Sequence, residues 1–303
     1  MVKKVKSLIA VVLFGCIAVI LSGCDMAILD PKGVTALEER NLIFTALGLM
    51  LIVVIPTFIM TIVFARKYRA SNVSAKYDPT FTHSTIIEVI CWGIPCIIIA
   101  ILGTITWIST HKLDPYRPLD SNIKPITIEV VALDWKWLFI YPEQKIATVN
   151  LVQFPVNVPV TFKITADAPM NSLWIPQLSG QVYAMAGMQT KLHIMATEVG
   201  DYRGSAANIS GAGFSGMKFI ARVSNQSEFD KWVNTVQNSH EVLTGSEYIQ
   251  LAKPSEDNPV KYYGMVRDRL FDDIIMKYMM PGVDLAKDSG HLENKSTESM
   301  ASM

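Results

Sequence analysis

The sequence predicts an α+β membrane protein: a two-helix transmembrane hairpin, then an antiparallel β-sandwich, then C-terminal helices. Two apolar runs within the first 108 residues are each long enough to cross a bilayer. From residue 126 onward, short segments rich in β-branched and aromatic residues alternate with turn residues, a pattern typical of a sandwich. No stretch of helical length separates these segments, which argues against a parallel sheet built from βαβ units.

Residues 1–23 are typical of an export signal. Three lysines precede a short apolar run that ends at LSGC (21–24). The run is too short to span a membrane and small residues follow it, as at a cleavage site. LSGC also resembles the lipobox of bacterial lipoproteins, and we therefore expect a lipid on Cys24, with Asp25 as an inner-membrane retention signal. An ordinary signal with a chance cysteine is the alternative.

The two apolar runs predict a transmembrane hairpin over residues 42–108. Its helices are expected at about 42–64 and 86–108, because Glu88 is the only charged residue within the two runs. The connecting loop, 65–85, is rich in Lys and Arg, so the positive-inside rule places it in the cytoplasm. The chain before and after the hairpin would then lie outside the cytoplasm.

Composition sets the boundaries on either side of the hairpin. Residues 24–41 form a short external segment, and residues 109–125 are a linker rich in proline and polar residues. The sandwich is expected over residues 126–226. Period-two alternation and β-branched residues predict its strands at 126–133, 137–141, 146–152, 159–166, 190–196 and 217–223.

A C-terminal helical region is expected over residues 227–281. Stretches 228–237 and 263–279 carry apolar residues at helical spacing, which predicts two amphipathic helices. Residues 282–303 are polar and poor in bulky apolar side chains, and they predict a disordered tail.

The loop GAGFSG (211–216) matches the G-x-G-x-x-G fingerprint of dinucleotide-binding turns. Such a turn needs a following helix and an acidic residue about 20 positions further on. Here a strand pattern follows, and position 236 is a valine. The context therefore argues against a dinucleotide site. Because the net charge is zero, the composition does not indicate a nucleic-acid partner either.

The predicted external domain offers few groups for catalysis. It contains three histidines and no cysteine, and its sequence has no zinc-protease or nucleophile-elbow motif. Its methionines could suggest a copper(I) site, but methionine without neighbouring His or Cys is more often a core residue. We predict no catalytic, cofactor-binding or metal-binding residue in this chain.

Three blocks of sequence resemble subunit II of the haem–copper respiratory oxidases, and more closely that of the bo-type ubiquinol oxidases. They are ALDWKWLFIYPEQ (132–144), MNSLWIPQLSGQVYAMAGMQT (170–190) and SGAGFSGMKF (210–219), and the lipobox and hairpin fit the same family. The resemblance implies a cupredoxin-like sandwich and a non-redox subunit of a proton-pumping ubiquinol oxidase that reduces oxygen to water.

The same resemblance implies where the cofactors and partners lie. Haems and copper are expected in a partner subunit I, and ubiquinol is the expected substrate of the complex. Subunits III and IV and membrane lipids are the other expected partners. The complex would lie in the bacterial inner membrane, with this chain lipid-anchored and its sandwich on the periplasmic side.

Copper-bearing members of the family hold a binuclear copper centre. Their ligands are one His and, further along the chain, the pattern Cys-x-Glu-x-Cys-x3-His-x2-Met. The corresponding residues here are Asn171, Ala206, Asn208, Ser210, Phe214 and Met217. Only the methionine is retained, and a copper pair cannot be held without the bridging thiolates and the imidazoles. The resemblance therefore implies a vestigial copper loop.

Glu88 is an ionisable residue in a predicted spanning helix, which makes it a functional candidate. The resemblance implies that it lies at the entrance of a proton channel into subunit I, and a solvated interfacial carboxylate is the alternative. Two other functions remain for the whole chain: an electron-transfer subunit II of the cytochrome c oxidase type, and a membrane-anchored lipoprotein that binds an unrelated ligand. The missing cysteines argue against the first, and the two spanning helices argue against the second.

Overall fold

The computed structural model describes residues 26–75, 79–280 and 285–286. The predicted signal peptide, Cys24, part of the hairpin loop and nearly all of the predicted tail 282–303 lie outside these residues. The described chain begins with two long helices, continues as two β-sheets and ends with three shorter helices and three short strands.

The two long helices are α1, Val34–Lys67, and α2, Thr85–Lys112. Both are long and apolar enough to cross a membrane, and almost none of the side chains in their most apolar windows is buried within the chain. Each extends beyond its apolar run, because flanking residues such as those of ALEER (36–40) are good helix formers. Helix α1 thus includes part of the predicted external segment 24–41, and α2 ends inside the predicted linker.

The sandwich contains ten strands. They are β1 Ile126–Leu133, β2 Lys136–Tyr141, β3 Ile146–Val149, β4 Leu151–Pro155, β5 Val160–Ala166, β6 Asn171–Trp174, β7 Val182–Ala184, β8 Thr190–Ile194, β9 Gly200–Ala206 and β10 Lys218–Ser224. All six predicted strands are present. The third is divided at Asn150, whose φ of 57° interrupts the extended backbone. Strands β6, β7 and β9 were not predicted.

The C-terminal region alternates helices with short strands. Its elements are α3 Gln226–Gln237, β11 Val242–Leu243, α4 Gly245–Leu251, β12 Lys261–Tyr263, β13 Met265–Val266 and α5 Leu270–Met279. The prediction of a helix from residue 263 was wrong over its first part, because the chain there pairs as strands. Helix α5 begins only after Arg269, whose left-handed φ of 61° separates it from β13.

Two sheets face each other across the main core. Their strand orders are β12-β3-β2-β1-β5-β8 and β4-β10-β9-β6-β7. Large aromatic side chains fill the space between them, among them Trp137, Phe139, Phe154 and Phe162, all fully buried. The predicted α+β class with a β-sandwich is confirmed.

Each sheet contains one parallel pair, so the strands are not antiparallel throughout. The pairs are β1 with β5 and β4 with β10. The first pair forms because the chain leaves the first sheet for β4 and returns at β5, running in the direction of β1. Alternation of apolar residues alone does not distinguish this arrangement from an antiparallel one.

A second core lies on the outer face of the first sheet. Val131, Leu138 and Val149 of the sheet pack there against aromatic and aliphatic side chains of the C-terminal region, including Tyr263 and Phe271. Burying one such large side chain contributes on the order of 2 kcal/mol. Strand β12 also pairs with β3 at the sheet edge. The C-terminal region is therefore part of the sandwich and not a separate helical layer.

Candidate functional site

The six positions that the family resemblance assigns to copper ligands lie together at one end of the second sheet. Asn171 begins β6, Ala206 ends β9, and the other four lie in the loop between β9 and β10 or at its end. The loop contains a single 3-10 helix, Ala212–Gly216. Strands β6 and β9 pair side by side, with Leu173 opposite Ala206, and this pairing brings the two ends of the constellation together.

Asn171 is the centre of this constellation. Its side-chain amide donates to Ser210 Oγ at 2.9 Å and to Met217 Sδ at 3.2 Å. Its Oδ1 accepts a hydrogen bond from the backbone N–H of Ser172 at 2.8 Å. Asn171 is 2% exposed and Met217 is 1% exposed. A buried amide would cost about 1–3 kcal/mol if it lacked these partners.

The other three positions are linked to the same cluster indirectly. Asn208 Oδ1 accepts from Ser172 Oγ at 2.9 Å. The backbone N–H of Ala206 donates to the carbonyl of Met217 at 3.1 Å, and the N–H of Met217 donates to the carbonyl of Phe214 at 3.1 Å. The structure thus brings all six predicted positions into one connected network.

Trp135, at the turn between β1 and β2, packs its indole against the loop between β9 and β10. Its Nε1 donates to the carbonyl of Ser210 at 3.1 Å. A Cβ added to Gly211 would lie 2.9 Å from the indole, and one added to Gly213 would lie 2.6 Å from it. Gly211 also has a φ of 118°, which favours glycine.

Gly211 and Gly213 are therefore required by their close approach to an indole, whereas a Cβ on Gly216 would lie 2.9 Å from Asp257 Oδ1. The 3-10 helix has five residues and is followed by β10, so the loop provides no α-helix N-terminus for a pyrophosphate. The predicted strand after the loop is present as β10.

The side chains present at these positions do not fit a binuclear copper centre. They supply two neutral amides, a hydroxyl, a methyl group, a phenyl ring and one thioether, whereas copper pairs need thiolates and imidazoles. The thioether of Met217 already accepts a hydrogen bond from Asn171. Within the described ranges, no three His, Cys, Asp or Glu side chains form a group that could hold a metal ion.

His193 lies outside this network. It is on β8 in the first sheet, where its Nδ1 is 3.0 Å from Thr161 Oγ1. Partial burial and the nearby positive charge of Lys191 lower the pKa of His193.

A second polar cluster was missed from the sequence and is centred on Asp167. Its carboxylate accepts hydrogen bonds from Tyr248 Oη at 2.6 Å, from Lys277 Nζ at 2.6 Å and from Tyr278 Oη at 2.5 Å. The Asp167 side chain is 2% exposed. No local motif could have revealed this cluster, because the partners lie 81 to 111 residues further along the chain.

The two tyrosines around Asp167 are held in their neutral form. Burial raises the pKa of both Tyr248 and Tyr278, and the Asp167 carboxylate raises both further. Each neutral hydroxyl donates to the carboxylate. The cluster therefore ties α4 and α5 to the end of β5 through a network of charge-assisted hydrogen bonds.

Glu88 lies far from both clusters along the hairpin. It is the fourth residue of α2, in the first turn of the helix, whose N-cap residue is Ser84. Its neighbours Ile86 and Val89 are 74% and 64% exposed. Roughly 36 Å of helix, at about 1.5 Å per residue, separates Glu88 from Lys112 at the other end of α2. A carboxylate in a first helical turn is also favoured by the helix dipole, which is consistent with either interpretation of Glu88.

Comparison with known proteins places these features in a family context. The COX Aromatic Rich Motif matches residues 237–282, the segment that covers the outer face of the first sheet. The chain is 60% identical over 250 residues to cytochrome bo(3) ubiquinol oxidase subunit 2 of Pseudomonas putida, covering 82% of this chain and 80% of that protein. It is 50% identical over 277 residues to ubiquinol oxidase subunit 2 of Acetobacter aceti, covering 91% of this chain and 90% of that protein.

Among solved structures, the periplasmic domain of subunit II of cytochrome oxidase (CoxB) of Bradyrhizobium japonicum is similar. It shares 19% identity at a TM-score of 0.37, covering 39% of this chain and 96% of that chain.

Proposed function

The chain belongs to the ubiquinol oxidase subunit 2 family, and we propose that it serves a proton-pumping terminal ubiquinol oxidase as a subunit without its own redox centre. It is thus a subunit of an oxidoreductase complex. The observation that carries the proposal is the network around Asn171, where an amide, a hydroxyl and a thioether bond one another in the place of metal ligands. Because these side chains satisfy one another's hydrogen-bonding groups, they stabilise the loop without a metal.

Partner subunits would perform the chemistry of the complex. Haems and copper would belong to subunit I, where ubiquinol is oxidised and oxygen reduced to water. Subunits III and IV complete the proposed assembly. This chain would stabilise subunit I and cover its outer face, and the rigid contact between Trp135 and the loop at 211–216 supports such a role.

We place the chain in the bacterial inner membrane with the sandwich on the periplasmic side. Helices α1 and α2 would span the bilayer, and Arg66 and Lys67 in the last turn of α1 would mark the cytoplasmic end. A lipid on Cys24 would add a second anchor. The apolar side chains around both helices suit contacts with lipid and with the helices of a partner.

Glu88 would then lie at the cytoplasmic end of α2, where a proton could enter from the cytoplasm. We propose that its carboxylate contributes to the proton-uptake entrance of subunit I. Its place in the first turn of the helix and on an exposed, otherwise apolar surface supports this proposal.

Metal analysis of the purified complex tests the main proposal. We expect Met217→Leu, which keeps the side-chain volume, to leave copper and iron per complex and ubiquinol oxidation unchanged. Stoichiometric loss of copper in this variant, or copper in the full-length chain after separation from subunit I, would overturn the proposal. Cytochrome c oxidation by the wild-type complex would also contradict it.

A further inference from the structure

Two adjoining cavities lie where the hairpin meets the sandwich. The first has a volume of about 320 Å³ and is lined by the start of α1, the end of α2, the linker after it, the sandwich loop at 179–181, and β8 with the residue that follows it. The second has a volume of about 480 Å³ and lies between the two helices. The cavities share the lining residues Leu113, Asp114 and Pro115, so they meet at the end of α2.

The two cavities lie at different positions along the helices, and one has an apolar lining whereas the other has a polar lining. The lining of the second is mainly apolar and includes Leu42, Leu102 and Ile105. On α1, the first cavity involves residues 34–39, which precede the apolar run that begins at Leu42. In a spanning hairpin the apolar cavity lies at the depth of acyl chains and the polar cavity lies at the depth of headgroups.

The polar cavity carries more negative than positive charge. Its lining includes the carboxylates of Glu38, Glu39, Asp114 and Asp120, and the cations of Lys112 and Arg117. Lys112 is paired with Glu38 at 2.9 Å, whereas Arg117 makes only a long contact of 3.7 Å with Asp120. The guanidinium of Arg117 therefore remains available to an anionic group of a ligand.

Glu39 and Asp114 line the cavity without an ion pair among the described residues, and Asp114 already accepts a hydrogen bond from the backbone N–H of Tyr116. The ion pairs that the described residues form nearby involve Glu38 and Asp120 but not Glu39. The backbone of Gly180 donates a hydrogen bond to the Glu39 carboxylate. A Cβ on Gly180 would lie 2.7 Å from Glu39 Oε1, so the glycine leaves room for the carboxylate.

We propose that the two cavities together bind one phospholipid whose headgroup carries a protonated amine. The phosphate would contact Arg117, the ammonium group would contact Glu39, and an acyl chain would occupy the apolar cavity. The excess of carboxylates disfavours a lipid with a net negative headgroup. A quinol offers neither a cation for Glu39 nor an anion for Arg117.

This inference goes beyond the proposed function and needs only that the hairpin spans a membrane. It is tested on the whole oxidase complex, reconstituted with equal amounts of palmitoyl-oleoyl phosphatidylethanolamine and phosphatidylglycerol. After detergent washing, native mass spectrometry counts the phospholipids that remain on this chain. We expect one retained phosphatidylethanolamine per chain of wild type.

Three variants probe the three parts of the site. Glu39→Gln and Arg117→Ala should each lower the retained lipid about tenfold, the effect of losing one charge-assisted hydrogen bond. Leu102→Trp should fill the apolar cavity and displace the acyl chain. Matched controls are Glu143→Gln and Arg203→Ala on the exposed sandwich surface, and Ile99→Trp on the exposed side of α2.

Assembly of each variant is checked by haem content, so that loss of lipid is distinguished from loss of the complex. A photo-crosslinker at Ser109, which lines the apolar cavity, should label lipid. Retention of phosphatidylglycerol at the same level as phosphatidylethanolamine would overturn the proposal. So would wild-type lipid retention in all three variants, or crosslinking of position 109 to another subunit.

Discussion

Asn171 donates a hydrogen bond from its side-chain amide to the thioether sulfur of Met217, at 3.2 Å, in the fully packed end of the second sheet. By the family resemblance, the two residues correspond to the first and last positions of a copper-ligand pattern. Here they are bonded directly to each other. The loop between β9 and β10 is consequently held by neutral hydrogen bonds and by packing on Trp135.

Replacing Asn171 tests how much this network stabilises the fold. Asn171→Ala removes the donor to Ser210 and Met217 and leaves the N–H of Ser172 without its side-chain acceptor. We expect a loss of about 2 kcal/mol in the free energy of unfolding of the sandwich. Thermal unfolding of the full-length chain, followed by near-ultraviolet circular dichroism, measures the change. The control Asn234→Ala, exposed on α3, should change the midpoint little.

Gly213 tests the close approach of the loop to Trp135. A Cβ at this position would lie 2.6 Å from the indole, so Gly213→Ala should displace the ring and cost about 1–3 kcal/mol. The change should be visible as a shift in tryptophan fluorescence together with a lower unfolding midpoint. Gly48→Ala is the control, because nothing lies within 4 Å of a Cβ added there. Equal midpoints for the two variants would contradict the role assigned to the indole contact.

The buried carboxylate of Asp167 should hold the C-terminal region on the sandwich. Asp167→Asn removes the negative charge that Lys277, Tyr248 and Tyr278 share. We expect a destabilisation of about 2–3 kcal/mol, less than for a wholly buried pair because Lys277 is partly exposed. Amide hydrogen exchange should increase first within α4 and α5. An increase in exchange that is uniform across the sandwich, or no increase at all, would contradict this expectation. Asp230→Asn, on the exposed surface of α3, is the control.

The tyrosines of the same cluster predict a response to alkaline pH. Their pKa values are raised in the folded chain, so the folded state retains protons that the unfolded state releases above the ordinary tyrosine pKa of about 10. Their stabilising contribution is complete below that pH and is lost as the pH rises further. Unfolding midpoints measured from pH 8 upward should fall above pH ~10. Tyr278→Phe should reduce the fall of the unfolding midpoint with pH. Tyr183→Phe should not, because Tyr183 is exposed and is not one of the hydrogen-bond partners of Asp167.

Glu88 is tested by its effect on turnover of the whole complex. Glu88→Ala should slow proton uptake and lower kcat several-fold without reducing haem content, as expected for one positioned proton-transfer group. Glu88→Asp, which keeps the carboxylate, should restore much of the rate. Unchanged proton uptake in Glu88→Ala would leave Glu88 as a solvated interfacial carboxylate. Glu143→Ala on the sandwich surface serves as the control.

The elements that the sequence predicted well are those determined by local pattern. The apolar runs located α1 and α2, and alternation located β1, β2, β5, β8 and β10 within one or two residues. Strands β6 and β7 are only four and three residues long, and β9 contains two glycines and two charged residues. Short or polar strands of this kind give too little alternation to be recognised.

Two further failures have a tertiary cause. The stretch from residue 263 has helical spacing, yet Tyr263 ends β12 and residues 265–266 form β13, because partner strands are available in the folded chain. Asp167 was overlooked because its partners come from distant segments. The six candidate positions, in contrast, come from the ligand spacing that the family resemblance implies, and the folded chain brings them together.

Because β12 pairs with β3, part of the first sheet is synthesised well before the strand that completes it. Ala147 is paired with Tyr263, so the edge of the first sheet and its outer apolar face are translated long before the segment that covers them. Until that segment emerges, the nascent sandwich exposes an unpaired edge, the kind of surface on which chains aggregate. A premature stop codon after α3 should therefore produce an aggregation-prone polypeptide, a burden for the export and quality-control machinery, and not a smaller stable domain.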